Sequence, residues 1–173
     1  MKEMVRYGFI LAIICMVASG LLAGVNSLTK ARILAQAQAE EEFSLKEVLP
    51  QGERFEAVKS DGETIYYKAL DKDGNLIGAA FKASGKGYSS TIETMVGMTK
   101  EGRVTAIKVV AQNETPGLGS RVSAQEFGGQ FKDKDIGQLN EVQAITGATI
   151  SSRAVIEAVQ KKAAEIQGIL NGA

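Results

Sequence analysis

Two stretches of this chain hold the residue types best suited to chemistry: Glu114-Thr115-Pro116-Gly117-Leu118-Gly119, and Thr146-Gly147-Ala148-Thr149 with Ser151 and Ser152 behind it. The second is a hydroxyl cluster without an acid, a base or a cysteine. A hydroxyl with no base to deprotonate it is a poor nucleophile. The chain has His 0, which excludes a Ser-His-Asp triad and histidine-ligated metal sites. Its single cysteine, Cys15, lies inside an apolar run, so disulfide frameworks and cysteine clusters are excluded as well. No catalytic residue and no metal site is expected.

The hydroxyls stand just ahead of a helical pattern. The plain reading is capping, in which they accept hydrogen bonds from the free N–H groups of a helix N-terminus. The same place also suits an anion, because the helix dipole and unpaired amides favour negative charge there. Gly147 and Ala148 leave space beside the Thr149 hydroxyl, and a phosphate group joined to that oxygen needs no local base if another enzyme places it there. In the other stretch proline fixes one dihedral and glycines permit positive ones, so the backbone can bend tightly and approach a ligand closely. A connector after a strand is the ordinary use of such a sequence. Arg121 and Arg153 flank the two stretches and could meet a phosphate, although a solvated surface position is the commoner fate of arginine.

The elements that must position these stretches follow from composition and periodicity. Lys+Arg 20 and Asp+Glu 20 cancel, and no basic run occurs, so nucleic acid is not an expected partner. Tyr7 to Thr29 contains no charged residue. As a helix it would extend about 35 Å at roughly 1.5 Å per residue, enough to cross a hydrocarbon core of about 30 Å. The run is longer than a signal-peptide core, which favours an uncleaved anchor over a cleaved leader. Lys2 and Arg6 on one side balance Lys30 and Arg32 on the other, so charge does not orient it. Lys30 to about Leu49 reads as helical, a stalk or the first helix of the domain, rich in Ala, Gln, Glu and Leu and stopped by Pro50-Gln51-Gly52.

The middle of the chain changes period. "ETIYYKAL", "NLIGAAFKA", "TIETMVGMT" and "RVTAIKVVA" are short β-rich segments, with "DKDG" and "TKEG" to turn the chain. They predict two antiparallel hairpins in one sheet. "AQNETPGLGS" follows as a loop, and a helix is expected from about Ser151 to Leu170, with Val155, Val159, Ala163 and Ile166 on its apolar face and Ile156 and Ile169 beside them. The fold class is α+β, with antiparallel strands and flanking helices. The expected organisation is a tail (1–6), a transmembrane helix (7–29), a helical stalk (30–50) and a compact domain (51–173).

Together these residues resemble the RnfG family, the G subunits of Rnf complexes, which are membrane-bound ferredoxin:NAD oxidoreductases that couple electron transfer to sodium or proton transport. The chain is similar, more distantly, to the C subunit of the sodium-translocating NADH:quinone reductase. Both belong to the FMN-binding domains with covalent flavin. Their pattern of Ser or Thr, Gly, Ala, Thr and further hydroxyls reads here as Thr146-Gly147-Ala148-Thr149 with Ser151 and Ser152, and their second stretch reads as Glu114 to Gly119. The likeness extends to the anchor and to "GYSSTIETMVGMTKEGRVTAIKVV". The resemblance implies FMN joined through its phosphate to Thr149, with Thr146, Gly147, Ala148 and the segment Glu114, Thr115, Pro116, Gly117, Leu118, Gly119 around it. It implies an electron-carrying subunit working with multi-spanning flavin and iron–sulfur subunits, a flavin transferase for maturation, and a flavin domain outside the cytoplasm. Family members often carry a histidine shortly before the Glu-Thr-Pro run, where this chain has Ala111, Gln112 and Asn113, so no proton-handling role transfers. The absence of long insertions favours the Rnf family over its quinone-reductase counterpart. The other readings are a component like the quinone reductase's C subunit and an anchored, non-redox binding domain in which the hydroxyls only cap a helix.

Overall fold

The computed structural model describes residues 2–60 and 62–172. They divide into two compact units, Met1–Glu41 and Glu42–Ala173. The first helix, α1, covers Lys2–Val48, so the apolar run and the Ala/Gln/Glu-rich stretch after it form one element. Its part within the first unit is long and apolar enough to cross a membrane, with Phe9, Leu22 and Leu28 exposed like their neighbours. An apolar surface that water would penalise on every side suits lipid.

The second unit is a five-stranded antiparallel meander in the order β1-β2-β3-β4-β5. The strands are β1 Arg54–Ser60, β2 Glu63–Leu70, β3 Leu76–Lys86, β4 Thr91–Thr99 and β5 Val104–Ala111. The two expected hairpins are β2–β3 and β4–β5, and β3 pairs β4 from Gly78↔Thr99 to Lys86↔Thr91 to make one sheet. The β2–β3 turn is closed by Asp71, whose Oδ1 accepts from the amides of Asp73 at 2.8 Å and Asn75 at 2.9 Å. Strand β1 adds an edge that the sequence hid: its half-buried residues, Phe55 and Val58, are three positions apart and pack with different clusters, so no single apolar face marks it, and its register shifts after Val58.

Each face of the sheet is covered. On one lies α3, Thr149–Asn171, whose Val155, Val159, Ala163 and Ile166 are buried against Phe81, Ile92, Val96 and Met98. Burial of each large aliphatic side chain favours this packing by about 1.5–3 kcal/mol. Ile169, expected beside that stripe, is exposed instead. The other face is covered by the last turns of α1, where Leu45 and Val48 pack with Ala80 and Met95. Thr105 Oγ1 donates to Val48 O at 2.6 Å and fastens the end of that helix to β5.

Between β5 and α3 the chain is more ordered than its composition suggests. A 3-10 turn covers Gly119–Ser123, a short helix α2 covers Gln125–Gly129, and a second 3-10 turn covers Ile136–Glu141. They bury Val122, Phe127 and Leu139, the turn after α2 adds buried Phe131, and Phe127 meets Phe131 edge to face at 5.5 Å. Helical periodicity fails in such short pieces, so only their buried aromatic residues distinguish them from loop.

Candidate functional site

The start of α3 is not capped as the hydroxyls suggested. Ala148 is the residue before its first turn, and no side chain caps it. Thr149 therefore occupies the first helical position, exposed, and its hydroxyl makes no hydrogen bond among the described residues. The first amide taken up by the helix is that of Ser152, which donates to Ala148 O at 2.9 Å. The amides of Thr149, Ile150 and Ser151 are left as the open donors that every helix N-terminus carries.

The two serine hydroxyls build the turn. Ser152 Oγ accepts from the amide of Ile145 at 3.1 Å and ties the Thr146–Ala148 turn back onto the helix. Ser151 Oγ donates to Glu114 Oε2 at 2.6 Å. Gln130 adds a clamp from outside: its side chain accepts from the Gln143 amide at 2.9 Å and donates to the Gln143 carbonyl at 3.4 Å. The turn is held from both ends, and the hydroxyls of Thr146 and Thr149 take no part in it among the described residues; of the two, Thr149 lines the adjoining cleft.

The Glu114–Gly119 segment folds beside it. Thr115 O accepts from Leu118 N at 3.1 Å and from Ser120 N at 3.3 Å, while Gly117 N donates to Ser120 Oγ at 3.0 Å. Glu114 itself is buried. Burial pushes its carboxyl up, but the hydrogen bonds from Ser151 and from the amides of Ser90, Ser89 and Tyr88 outweigh this and hold it below its ordinary value.

A cleft of about 410 Å³ opens where the two stretches meet, lined by Tyr88, Thr115, Leu118, Gly119, Gly147, Ala148, Thr149, Ile150 and Ser151. Two glycines give it its shape. A Cβ on Gly119 would stand 2.5 Å from Glu114 Oε2 and 2.8 Å from Ser151 Oγ. Gly147 has φ +82, and its Cβ would face Leu118 Cδ2 at 3.8 Å across the gap. The cleft is within the range of small-ligand sites, roughly 300–1,000 Å³. Its apolar rim, open amides and unused hydroxyl fit a flat aromatic cofactor with a phosphate at one end.

Of the residues singled out in the sequence, Thr115, Leu118, Gly119, Gly147, Ala148, Thr149 and Ser151 share this lining. Pro116, Gly117 and Thr146 are exposed outside it, and Glu114 lies behind it. Arg121 and Arg153 are exposed and do not line the cleft. Tyr88 and Ile150 are the lining residues that sequence reasoning passed over. An aromatic in "GKGYSS", between a glycine and two serines, was the available signal for Tyr88.

A family model for an FMN-binding domain matches residues 87–164, and one for the RnfG N-terminal region matches residues 1–48. The chain is 35% identical to the G subunit of the ion-translocating oxidoreductase complex of Methanosarcina acetivorans, across 91% of this chain and 92% of that protein. It belongs to the RnfG family. A further relative is the G subunit of the proton-translocating ferredoxin:NAD(+) oxidoreductase complex of Clostridium ljungdahlii, 32% identical across 94% of this chain and 91% of that one. Among solved structures, the C subunit of the Na(+)-translocating NADH-quinone reductase from Parabacteroides distasonis is similar in fold. It superposes with a TM-score of 0.51 at 20% identity, covering 65% of this chain and 71% of that one. Membership brings an FMN-binding domain, which contains every residue of the cleft, and a membrane-associated N-terminal helix.

Proposed function

We propose that this chain is the flavin-carrying electron-transfer subunit of an Rnf-type ion-translocating ferredoxin:NAD oxidoreductase, with FMN joined by a phosphoester to Thr149. The observation that carries the reading is the exposed, unbonded Thr149 hydroxyl at the uncapped start of α3, inside a cleft shared with Thr115, Leu118 and Gly119. A phosphodiester there keeps one negative charge, which suits the open amides and the positive end of the helix dipole. Leu118, Tyr88 and Ile150 supply apolar surface for the ring, and Thr146 and Gly147 shape the turn that presents Thr149. Bound flavin exchanges one or two electrons, and the protein contributes position, electrostatics and protection. No independent catalytic residue is needed for that role.

The same reading places residues 7–29 across the membrane, 30–50 as the stalk, and the FMN domain of residues 51–173 on the extracytoplasmic side. Its partners are the multi-spanning flavin and iron–sulfur subunits of the complex, together with a flavin transferase that attaches the cofactor. Covalent attachment suits that location, where a lost cofactor could not readily be replaced.

Intact-mass analysis of the protein from its native membrane tests the attachment. An increase of one FMN, mapped to the peptide containing Thr149, is expected; an unmodified mass would leave an anchored binding domain. Orientation is tested with Lys72→Cys, on the exposed β2–β3 turn, using a membrane-impermeant thiol reagent on whole cells. Labelling of intact cells is expected. Labelling only after lysis would put the domain in the cytoplasm.

A further inference from the structure

Three stretches of chain far apart in sequence meet at the cleft, and one carboxylate touches all of them. Glu114 is 5% exposed. Its Oε2 accepts from Tyr88 N at 3.2 Å and from Ser151 Oγ at 2.6 Å. Its Oε1 accepts from the amides of Ser89 and Ser90, each at 2.9 Å, and from Ser90 Oγ at 3.4 Å. Among the described residues no lysine or arginine forms an ion pair with it. A buried carboxylate without a cation is costly unless its lone pairs are filled, and here main-chain amides and hydroxyls fill them while leaving the net charge in place.

Its position relative to the cleft follows from the two glycines that abut it. A Cβ on Gly87 would lie 2.6 Å from Glu114 Oε1, and one on Gly119 would lie 2.5 Å from Oε2. Gly119 and Ser151 both line the cleft. The charge therefore sits immediately behind the wall against which a ligand would rest.

We propose that Glu114 is a positioning residue of the flavin site: its ionised carboxylate joins the Tyr88, Gly119 and Ser151 walls of the cleft and sets a fixed negative charge behind them that biases bound flavin towards its oxidised form. The proposal rests on FMN occupying this cleft. Reduction adds electrons to the ring, and a like charge nearby in a site of low polarity opposes it. A fastener with no electrostatic role would alter stability and leave the flavin's potential where it was.

The test uses the full-length protein extracted from its native membrane with FMN attached. Glu114→Gln keeps the volume, removes the charge, and turns an NH2 group towards backbone donors. The expected result is retained flavin with a higher midpoint potential, a shifted visible absorption, and faster quenching of flavin fluorescence by iodide as the walls loosen. An unchanged potential in that folded, flavin-bearing variant overturns the proposal, whatever the quenching rate. Should Glu114→Gln fail to fold, Ser151→Ala removes the shortest of the hydrogen bonds and keeps the charge. With that donor gone the charge is less compensated on the cleft side, so a lowered midpoint potential with faster quenching then supports the proposal, and a wild-type potential overturns it. Absence of FMN from the wild-type cleft overturns both this inference and the proposed function, whereas FMN present with an unmoved potential overturns this one alone.

Discussion

Two of the hollows in the second unit differ in character, and the larger of the pair is the less promising. A groove of about 490 Å³ runs along β5 and α2, past Lys108, Gly129 and Lys132. Its prominent charge is already answered: Lys108 Nζ meets Glu47 Oε2 at 2.7 Å and stands 4.5 Å from the centre of the Phe43 ring. The amides at the start of α2 are partly used too, with Phe127 N and Gly128 N both donating to Ala124 O. The smaller cleft, of about 410 Å³, has the opposite character. There a longer helix begins without a cap, and the hydroxyl at its first position has no partner among the described residues. Volume alone does not make a site. Unanswered donors converging beside apolar surface are the better sign, because such groups persist only where solvent or a ligand answers them.

The contrast is broken most directly by Thr149→Ala. Covalent FMN should be lost completely, as read by intact mass. Because the hydroxyl caps nothing, stability should stay within about 0.5 kcal/mol of the wild type by urea unfolding. Thr146→Ala should keep the attached flavin. Covalent FMN persisting in Thr149→Ala would move the attachment site elsewhere.

A glycine exchange in each hollow sharpens the comparison. Gly119→Val drives a branched side chain into Glu114 and Ser151 and should cost about 1–3 kcal/mol, with the flavin spectrum disturbed. Gly129→Ala meets nothing within 4 Å and should remain within about 0.5 kcal/mol, with the spectrum unaltered. Equal losses at the two positions, measured by chemical unfolding, would remove the distinction.

Gly117→Val probes the exposed tip of the loop. There is open space for a side chain, but φ is +76, so about 1–2 kcal/mol of backbone strain is expected. The flavin should stay attached while its absorption and midpoint potential shift, because the strain displaces neighbouring Leu118. Lowered stability with an untouched spectrum would detach this loop from the flavin's surroundings.

The smallest effect at neutral pH concerns acid stability. Glu114 has a carboxyl held below its ordinary value, so the folded state binds that proton less readily than the unfolded chain. Its contribution is fully present above the ordinary carboxylate range, near pH 4, and is lost as pH falls through the folded value. Stability measured from pH 7 downwards should therefore fall less steeply in Glu114→Gln than in the wild type. Parallel acid limbs would mean that the carboxylate is not held in this way.

Much of this molecule was determined by local sequence. The uninterrupted apolar run fixed a membrane-length helix, because a helix without a polar face cannot be solvated evenly. The turns at Asp71–Gly74 and Thr99–Gly102 fixed two hairpins, since their residues supply the φ values and side-chain acceptors such turns require. The spacing of Val155, Val159, Ala163 and Ile166 fixed the buried face of α3. The two chemical stretches were visible by composition as well. Their meeting was not: Glu114 reaches Ser151 across 37 positions and Tyr88 across 26, and no periodicity encodes such contacts. The sequence could not show that Ser151 and Ser152 would be spent on the turn while Thr149 stayed free, because hydroxyls in a row are chemically alike. Only the packing of α3 on the sheet sets which of them faces inwards. Strand β1 and the short helices before α3 were likewise tertiary decisions, since segments with too few residues to display a period take their structure from the surfaces they cover.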